Sequence, residues 1–192
     1  MGKELLNKLK IVKDIDGKHV VVINDVRFKG KTKAEWKLIE NVLKEYVGKS
    51  YEIAETCERV YIGKDFPDEF THGKDKTVLK GPNAKAKANA SMVIKELVQI
   101  GTNKTATKDY GNKHGRLAEN GWYRYDTRLA IPIYNDEKVI IKYNIYKLRM
   151  LVRHDADGKL YLYDFLHTKK KKKRVARFSQ MLTVVKPASS WV

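Results

Sequence analysis

WYRYDTRLAIPIYNDEKVIIKYNIYKLRMLVRHDADGKLYLYDFLH, residues 122–167, decides the fold. Three segments of it, Trp122–Tyr134, Val139–His154 and Lys159–His167, are dense in aromatic and β-branched side chains, with Asn135-Asp-Glu-Lys138 and Asp155-Ala-Asp-Gly158 between them. Such side chains suit a pleated, half-buried surface, and Asn, Asp and Gly turn the chain, so the stretch reads as an antiparallel meander. With two- or four-residue turns, opposed residue numbers sum to an odd value, which assigns the faces. One face then collects Tyr125, Leu129, Ile131, Ile133, Tyr146, Leu148, Met150, Val152, Tyr161, Tyr163 and Phe165. The other collects Trp122, Arg124, Asp126, Arg128, Lys147, Arg149, Leu151, Arg153 and Asp164. In this register Arg124 lies opposite Arg149, and like charges so placed destabilise a sheet by up to about 1 kcal/mol.

Two readings of that cationic face stand side by side. In one, Asp126 and Asp164 neutralise the arginines in an ordinary salt-bridged surface. In the other, the guanidinium forks grip phosphate oxygens in pairs and Trp122 offers a ring to stack on.

Upstream, Thr32 stands at an N-cap position with Glu35 three residues on, and Trp36, Ile39, Leu43 and Tyr46/Val47 recur at helical spacing until Gly48. A second helix is expected from Asn83 to Ile100, Ala-rich and then apolar, ended by Gly101. Lys10 to Phe28 reads as a hairpin turning near Asp16-Gly17, and the polar stretch Thr102 to Gly121 as an exposed loop. The expected fold is therefore α+β: two main helices packed on one face of an antiparallel β-meander, with an N-terminal β-hairpin. Residues 1–167 read as one domain and 168–192 as a basic, disordered tail.

Length and composition agree with a folded unit. At 192 residues about 70% of the unfolded surface can be buried, and 11 Tyr, 5 Phe and 3 Trp supply large surfaces for it. No apolar run approaches the roughly 18 residues of a membrane span, which points to the cytoplasm. The single cysteine, Cys57, rules out an internal disulfide and a cysteine-built zinc cage. A net charge of +17 is the footprint of a polyanion binder, although a solvated Lys-rich surface gives the same count. Close to half of the excess sits in residues 168–192, where Lys169 to Lys173, Arg174, Arg177 and Lys186 face no acid.

Cleavage of RNA by attack of the RNA's own 2′-hydroxyl needs a base near that oxygen, a cation at the phosphate and an acid at the leaving oxygen, roles open to His, Lys, Arg, Tyr or Glu. His114, in Lys113-His-Gly-Arg116, is the best-placed histidine for the base. No Walker loop, dinucleotide fingerprint, Gly-Xaa-Ser-Xaa-Gly or paired His-Glu zinc motif occurs, so neither a cofactor nor a metal is expected.

Ala84-Lys-Ala-Lys-Ala-Asn-Ala90, Lys113-His114, Gly121-Trp-Tyr-Arg-Tyr-Asp126, Leu129-Ala-Ile-Pro132 and Leu151-Val-Arg-His-Asp-Ala-Asp-Gly-Lys-Leu-Tyr-Leu-Tyr-Asp164 carry a resemblance. Over residues 50–168 the chain resembles the phage barnase-EndoU-colicin-RelE-like nuclease group and the large polyvalent-protein-associated domains of phages and mobile elements close to it. The resemblance implies helices on an antiparallel sheet of about four strands. It also implies metal-independent RNA cleavage by His114, Arg124 and Arg149, with Arg128, Arg153, Thr168 and Lys169 as further candidates; the loop cations Lys113 and Arg116 and the Trp122 ring join them as expected nucleic-acid contacts from the residues themselves. RNA, tRNA included, is the implied substrate. An immunity protein or the remainder of a larger phage polyprotein is the implied protein partner, in the cytoplasm of a bacterial host. The alternative is a non-catalytic accessory or interaction domain of the same fold, and a DNA-binding module is a third class. One departure stands out: the family pattern ends soon after the Tyr-Leu-Tyr-Asp strand on Lys-Lys-Glu-Thr, whereas Thr168 here leads into five lysines. A slip in a run of lysine codons would account for that, a hypothesis that the reading frames downstream of Thr168 test.

Overall fold

The computed structural model describes residues 9–14 and 16–170. Beyond Lys170 the expected tail lies outside the described residues. Among the described residues the fold is a mixed α+β arrangement with eight strands in one curled sheet. The strands are β1 (Leu9–Lys13), β2 (His19–Ile23), β3 (Ser50–Ile53), β4 (Glu58–Ile62), β5 (Thr102–Thr107), β6 (Trp122–Tyr134), β7 (Ile140–His154) and β8 (Leu160–Lys170). Helical segments are α1 (Lys33–Lys44), α2 (Phe66–His72), α3 (Lys74–Val78), α4 (Gly81–Ala90) and α5 (Ile94–Gln99). The sheet runs in the order β1-β2-β6-β7-β8-β4-β3. β5 shares the outer edge of β6 with β2, pairing antiparallel near Trp122–Asp126, while β2 pairs parallel at Leu129 and Ala130.

α1 forms where its cap places it. The Thr32 hydroxyl accepts the Glu35 N–H at 3.2 Å, and the Glu35 carboxylate reaches back to the N–H of Lys31 at 2.8 Å. Its buried face is Trp36, Ile39 and Leu43. The continuous helix expected from Asn83 to Ile100 is instead two, α4 and α5, broken at Ser91-Met92-Val93. Polar side chains explain the break, because they offer the backbone other partners. Ser91 Oγ donates to the Ala88 carbonyl at 2.6 Å. The fully buried Asn89 amide accepts the Arg27 and Phe28 N–H groups and donates to the Phe28 and Lys85 carbonyls. The loop expected over Thr102–Gly121 begins as β5, whose Thr102, Thr105 and Thr107 favour extended backbone.

The meander is present with a different register. Trp122 to Ile133 on β6 pair with Arg153 to Lys142 on β7, so Arg124 faces Leu151 and Arg149 faces Asp126. The expected Arg124–Arg149 opposition does not occur. A turn one residue longer than expected joins Tyr134 to Ile140, and a bulge at Ile141 adds a second residue. Between β7 and β8 the pairing begins at His154–Leu160 and slips again at Tyr163. Leu160 and Leu162 therefore enter the core in place of Tyr161 and Tyr163. Asp164 is buried rather than neutralising an outer face.

One apolar cluster joins Trp36, Ile39 and Leu43 of α1, Phe66 and Phe70 of α2, the alanines of α4, Leu97 and Val98 of α5, and Tyr125, Leu129, Leu148, Met150 and Phe165 of the sheet. Phe165 stands edge-on to Phe70 at 6.3 Å. Among the described residues no helix is long and apolar enough to cross a membrane. Phe165→Ala is expected to cost about 3–5 kcal/mol, from lost burial and the cavity left behind. Urea unfolding checks it, and a loss under about 1 kcal/mol would show that this centre is not close-packed.

Candidate nucleic-acid interface

His114 and the two arginines proposed as a catalytic set do not converge. His114 lies just before a single 3-10 turn, Gly115–Ala118, in the loop between β5 and β6. Its ring packs edge-on against Trp122 at 4.9 Å and against Tyr163 at 5.8 Å. Asp109 pins this loop by accepting the His114 backbone N–H at 3.0 Å and Trp122 Nε1–H at 3.2 Å. Those bonds, the His114 N–H first, hold the Asp109 carboxyl below its ordinary value. Trp122, expected to offer a stacking surface, is 7% exposed and packed with Ala118, Leu151, Tyr163 and Leu166.

Most of the expected phosphate-binding arginines are engaged with acids. Arg128 is buried and paired with Asp14, which the β1–β2 turn supplies. Arg153, also buried, bonds Asp65 through Nη1 at 2.6 Å and lies 5.9 Å from the Tyr163 ring centroid. Arg124 bonds the Thr107 hydroxyl on β5. Arg116 is exposed and 3.9 Å from Asp157, and Lys113 is exposed in the loop. Thr168 is 1% exposed, with no hydrogen-bond partner for its hydroxyl among the described residues.

Arg149 and Lys169 do come together. They line an open hollow of about 390 Å³ with Asp126, Lys147, Leu148 and His167. The sequence reading missed Lys147 and His167 as site residues. Strand register makes the hollow cationic: Arg128 faces Lys147 across β6 and β7, and Lys147 faces Lys169 across β7 and β8. Asp14 compensates Arg128, whereas Lys147 and Lys169 have no acid partner among the described residues. Opposed like charges of this kind cost a few tenths of a kcal/mol to about 1 kcal/mol in the absence of a counterion. Arg149 touches one oxygen of Asp126 through Nε at 3.4 Å and Nη2 at 3.3 Å, with both side chains close to half exposed. A pair so long and so wet is worth about 0–1 kcal/mol, so a phosphate can compete for that guanidinium.

His167 enters the hollow through a bulge. Arg149 pairs with Leu166 and Lys147 with Lys169, so His167 and Thr168 together stand opposite Leu148. At φ 52° His167 sits in the left-handed region, a conformation that costs an L-residue roughly 1–2 kcal/mol. Its backbone N–H, turned away from the ladder, donates to Asp75 Oδ1 of α3 at 2.9 Å. Asp75 Oδ2 in turn meets the Lys87 ammonium at 3.4 Å.

Lys87 is fully buried, gripped by both oxygens of Asp164 at 2.9 and 3.0 Å, and lies over the Phe70 ring at 5.0 Å. Burial pushes the Asp164 carboxyl up to about 7 against the pull of that ammonium. Comparison with known protein families, with curated proteins and with solved structures finds no match to this chain.

The raised Asp164 value has a direction that can be measured. Between its unfolded value and about 7 the folded chain holds a proton that the unfolded chain releases. This group's contribution is thus fully present in acid and is lost as pH rises through the folded value. Between about pH 5 and about pH 8, denaturant melts should show wild type losing stability relative to Asp164→Asn; an unchanged difference at the two pH values would mean the carboxyl is ionised throughout.

Proposed function

We propose that this chain is an RNA-binding domain of the accessory type, working beside a larger phage or mobile-element protein. The helices on the apolar side of the meander are its scaffold. The hollow between β7 and β8 is its phosphate site. The observation that carries this reading is the facing pair Lys147 and Lys169, exposed and without an acid among the described residues, beside a guanidinium that is only loosely held. A phosphodiester supplies the missing negative charge, and strand register sets three cations side by side for it. His114 takes no part in this reading, because its ring is committed to Trp122 and Tyr163.

Retaining the nuclease reading requires moving its centre. His167 favours it: a histidine lines the hollow together with Arg149 and Lys169, the residue types that proton transfer at a phosphodiester needs.

Binding of a short single-stranded RNA at several salt concentrations tests both. Lys147→Ala, Arg149→Ala and Lys169→Ala should each weaken binding and lower the salt slope by about 0.7 for each phosphate no longer neutralised, while His114→Ala leaves both unchanged. Equal affinity and slope in all three cation variants would remove the hollow from the interface. In EDTA, fragmentation of RNA that disappears in His167→Ala and Arg149→Ala but persists in His114→Ala would replace the accessory reading with a metal-independent ribonuclease.

A further inference from the structure

β8 runs past its last pairing with β4 at Leu162, so from Asp164 to Lys170 one edge of the strand faces helices rather than another strand. Two edge N–H groups there are met by side chains: His167 by Asp75 of α3 and Lys170 by Asn83 of α4. The first of these falls on the left-handed residue of the bulge. Extended pairing would aim the 167 N–H elsewhere, so the carboxylate that accepts it favours the left-handed geometry. That carboxylate is not free to wander, because its second oxygen faces the Lys87 ammonium, which is itself fixed on Asp164.

We propose that Asp75 is a positioning residue for the cationic hollow: it holds His167 in the left-handed bulge and so sets the spacing of Lys169 against Lys147 and Arg149. The proposal rests on the RNA-binding reading of that hollow.

The sign of the effect separates positioning from simple electrostatics. Asp75 is an acid near a cationic site, and deleting a negative charge there should by itself strengthen the binding of an anion. Positioning predicts the reverse. In the full chain, Asp75→Ala should weaken binding of a short single-stranded RNA about tenfold. Asp75→Asn, whose amide oxygen can still accept the His167 N–H, should recover most of that loss. Glycine adopts the left-handed conformation without steric cost. In a His167→Gly background, Asp75→Ala should therefore change affinity less than about twofold.

Tighter binding by Asp75→Ala, or an equal loss in both backgrounds, would overturn the proposal. Should Asp75→Ala fail to fold, Asp75→Ser replaces it, as its hydroxyl is too short to span the gap. The backbone 13C shifts and HN–Hα coupling of residue 167, measured without RNA, give an independent reading. They should report the left-handed conformation in wild type and its loss in Asp75→Ala. If wild type binds no RNA, the functional reading falls and this measurement alone decides: a left-handed residue 167 that persists in Asp75→Ala overturns the positioning role.

Discussion

A lysine ammonium with no exposed surface has to be met by carboxylates, and the way Lys87 is met organises the rest of this molecule. Asp164 reaches it from β8 and Asp75 from α3, while Phe70 of α2 offers its ring. One buried charge thus joins three helical segments to a single strand. Replacing Lys87 by an apolar residue would leave the Asp164 carboxyl buried without its cation, and breaking a buried pair in this way costs about 3–5 kcal/mol in comparable sites. A well-packed apolar trio of similar volume could stabilise the same junction as well. What the ionic version adds is direction: hydrogen bonds from Lys87 orient both carboxylates, and one of them shapes the strand that borders the hollow.

The two faces of the meander divide the work accordingly. On the core side, Tyr125, Leu148, Met150 and Phe165 are fully or almost fully buried against the helices. The Tyr125 hydroxyl there finds Glu58 at 2.7 Å, and burial followed by that bond pushes the phenol well above its ordinary value. On the opposite side, charge is graded along the strands. Near β1 and β2 the surface is apolar, with Val12, Val20, Val22, Ala130, Tyr143 and Ile145 in one cluster. Next comes Arg128 neutralised by Asp14, and beside it Lys147 and Lys169 stand without acids among the described residues. At the far end Trp122, Tyr163 and His114 close the surface again. The open cationic ground is therefore narrow, bounded by apolar packing at both ends.

Local signals in the sequence were legible, and pairings between distant residues were not. Thr32 and Glu35 cap a helix whose buried residues repeat at i, i+3 and i+7, information contained within 12 residues. The meander strands were equally clear, because aromatic and β-branched density needs no partner to be seen. Register failed because single inserted residues at Ile141 and Tyr163 leave no compositional mark, yet each changes which side chains oppose one another. The site reading inherited that error. Arg124 and Arg149 were brought together by a register that does not occur, and the true cationic row depends on two slips. His114 looked free because its neighbours in sequence are polar, whereas its neighbours in space are Trp122 and Tyr163. Asp75 and Lys87 carried no signal, since what matters about them is an N–H 92 positions from one and a carboxylate 77 positions from the other.

The shared edge of β6 bears on how the chain reaches this state. β6 pairs with β7 and β7 with β8 through tight connections, so that part can assemble from contacts close in sequence. The β1–β2 hairpin docks on Leu129 and Ala130 from the other end of the chain, in parallel, and brings Asp14 to Arg128 across 114 positions. Loop closure over that span makes the hairpin a late arrival. Until it lands, the upper edge of β6 is an unpaired strand and Arg128 an uncompensated cation in the sheet. The hairpin thus covers a sticky edge: a clipped chain lacking it exposes the kind of template on which a second copy's strand can pair.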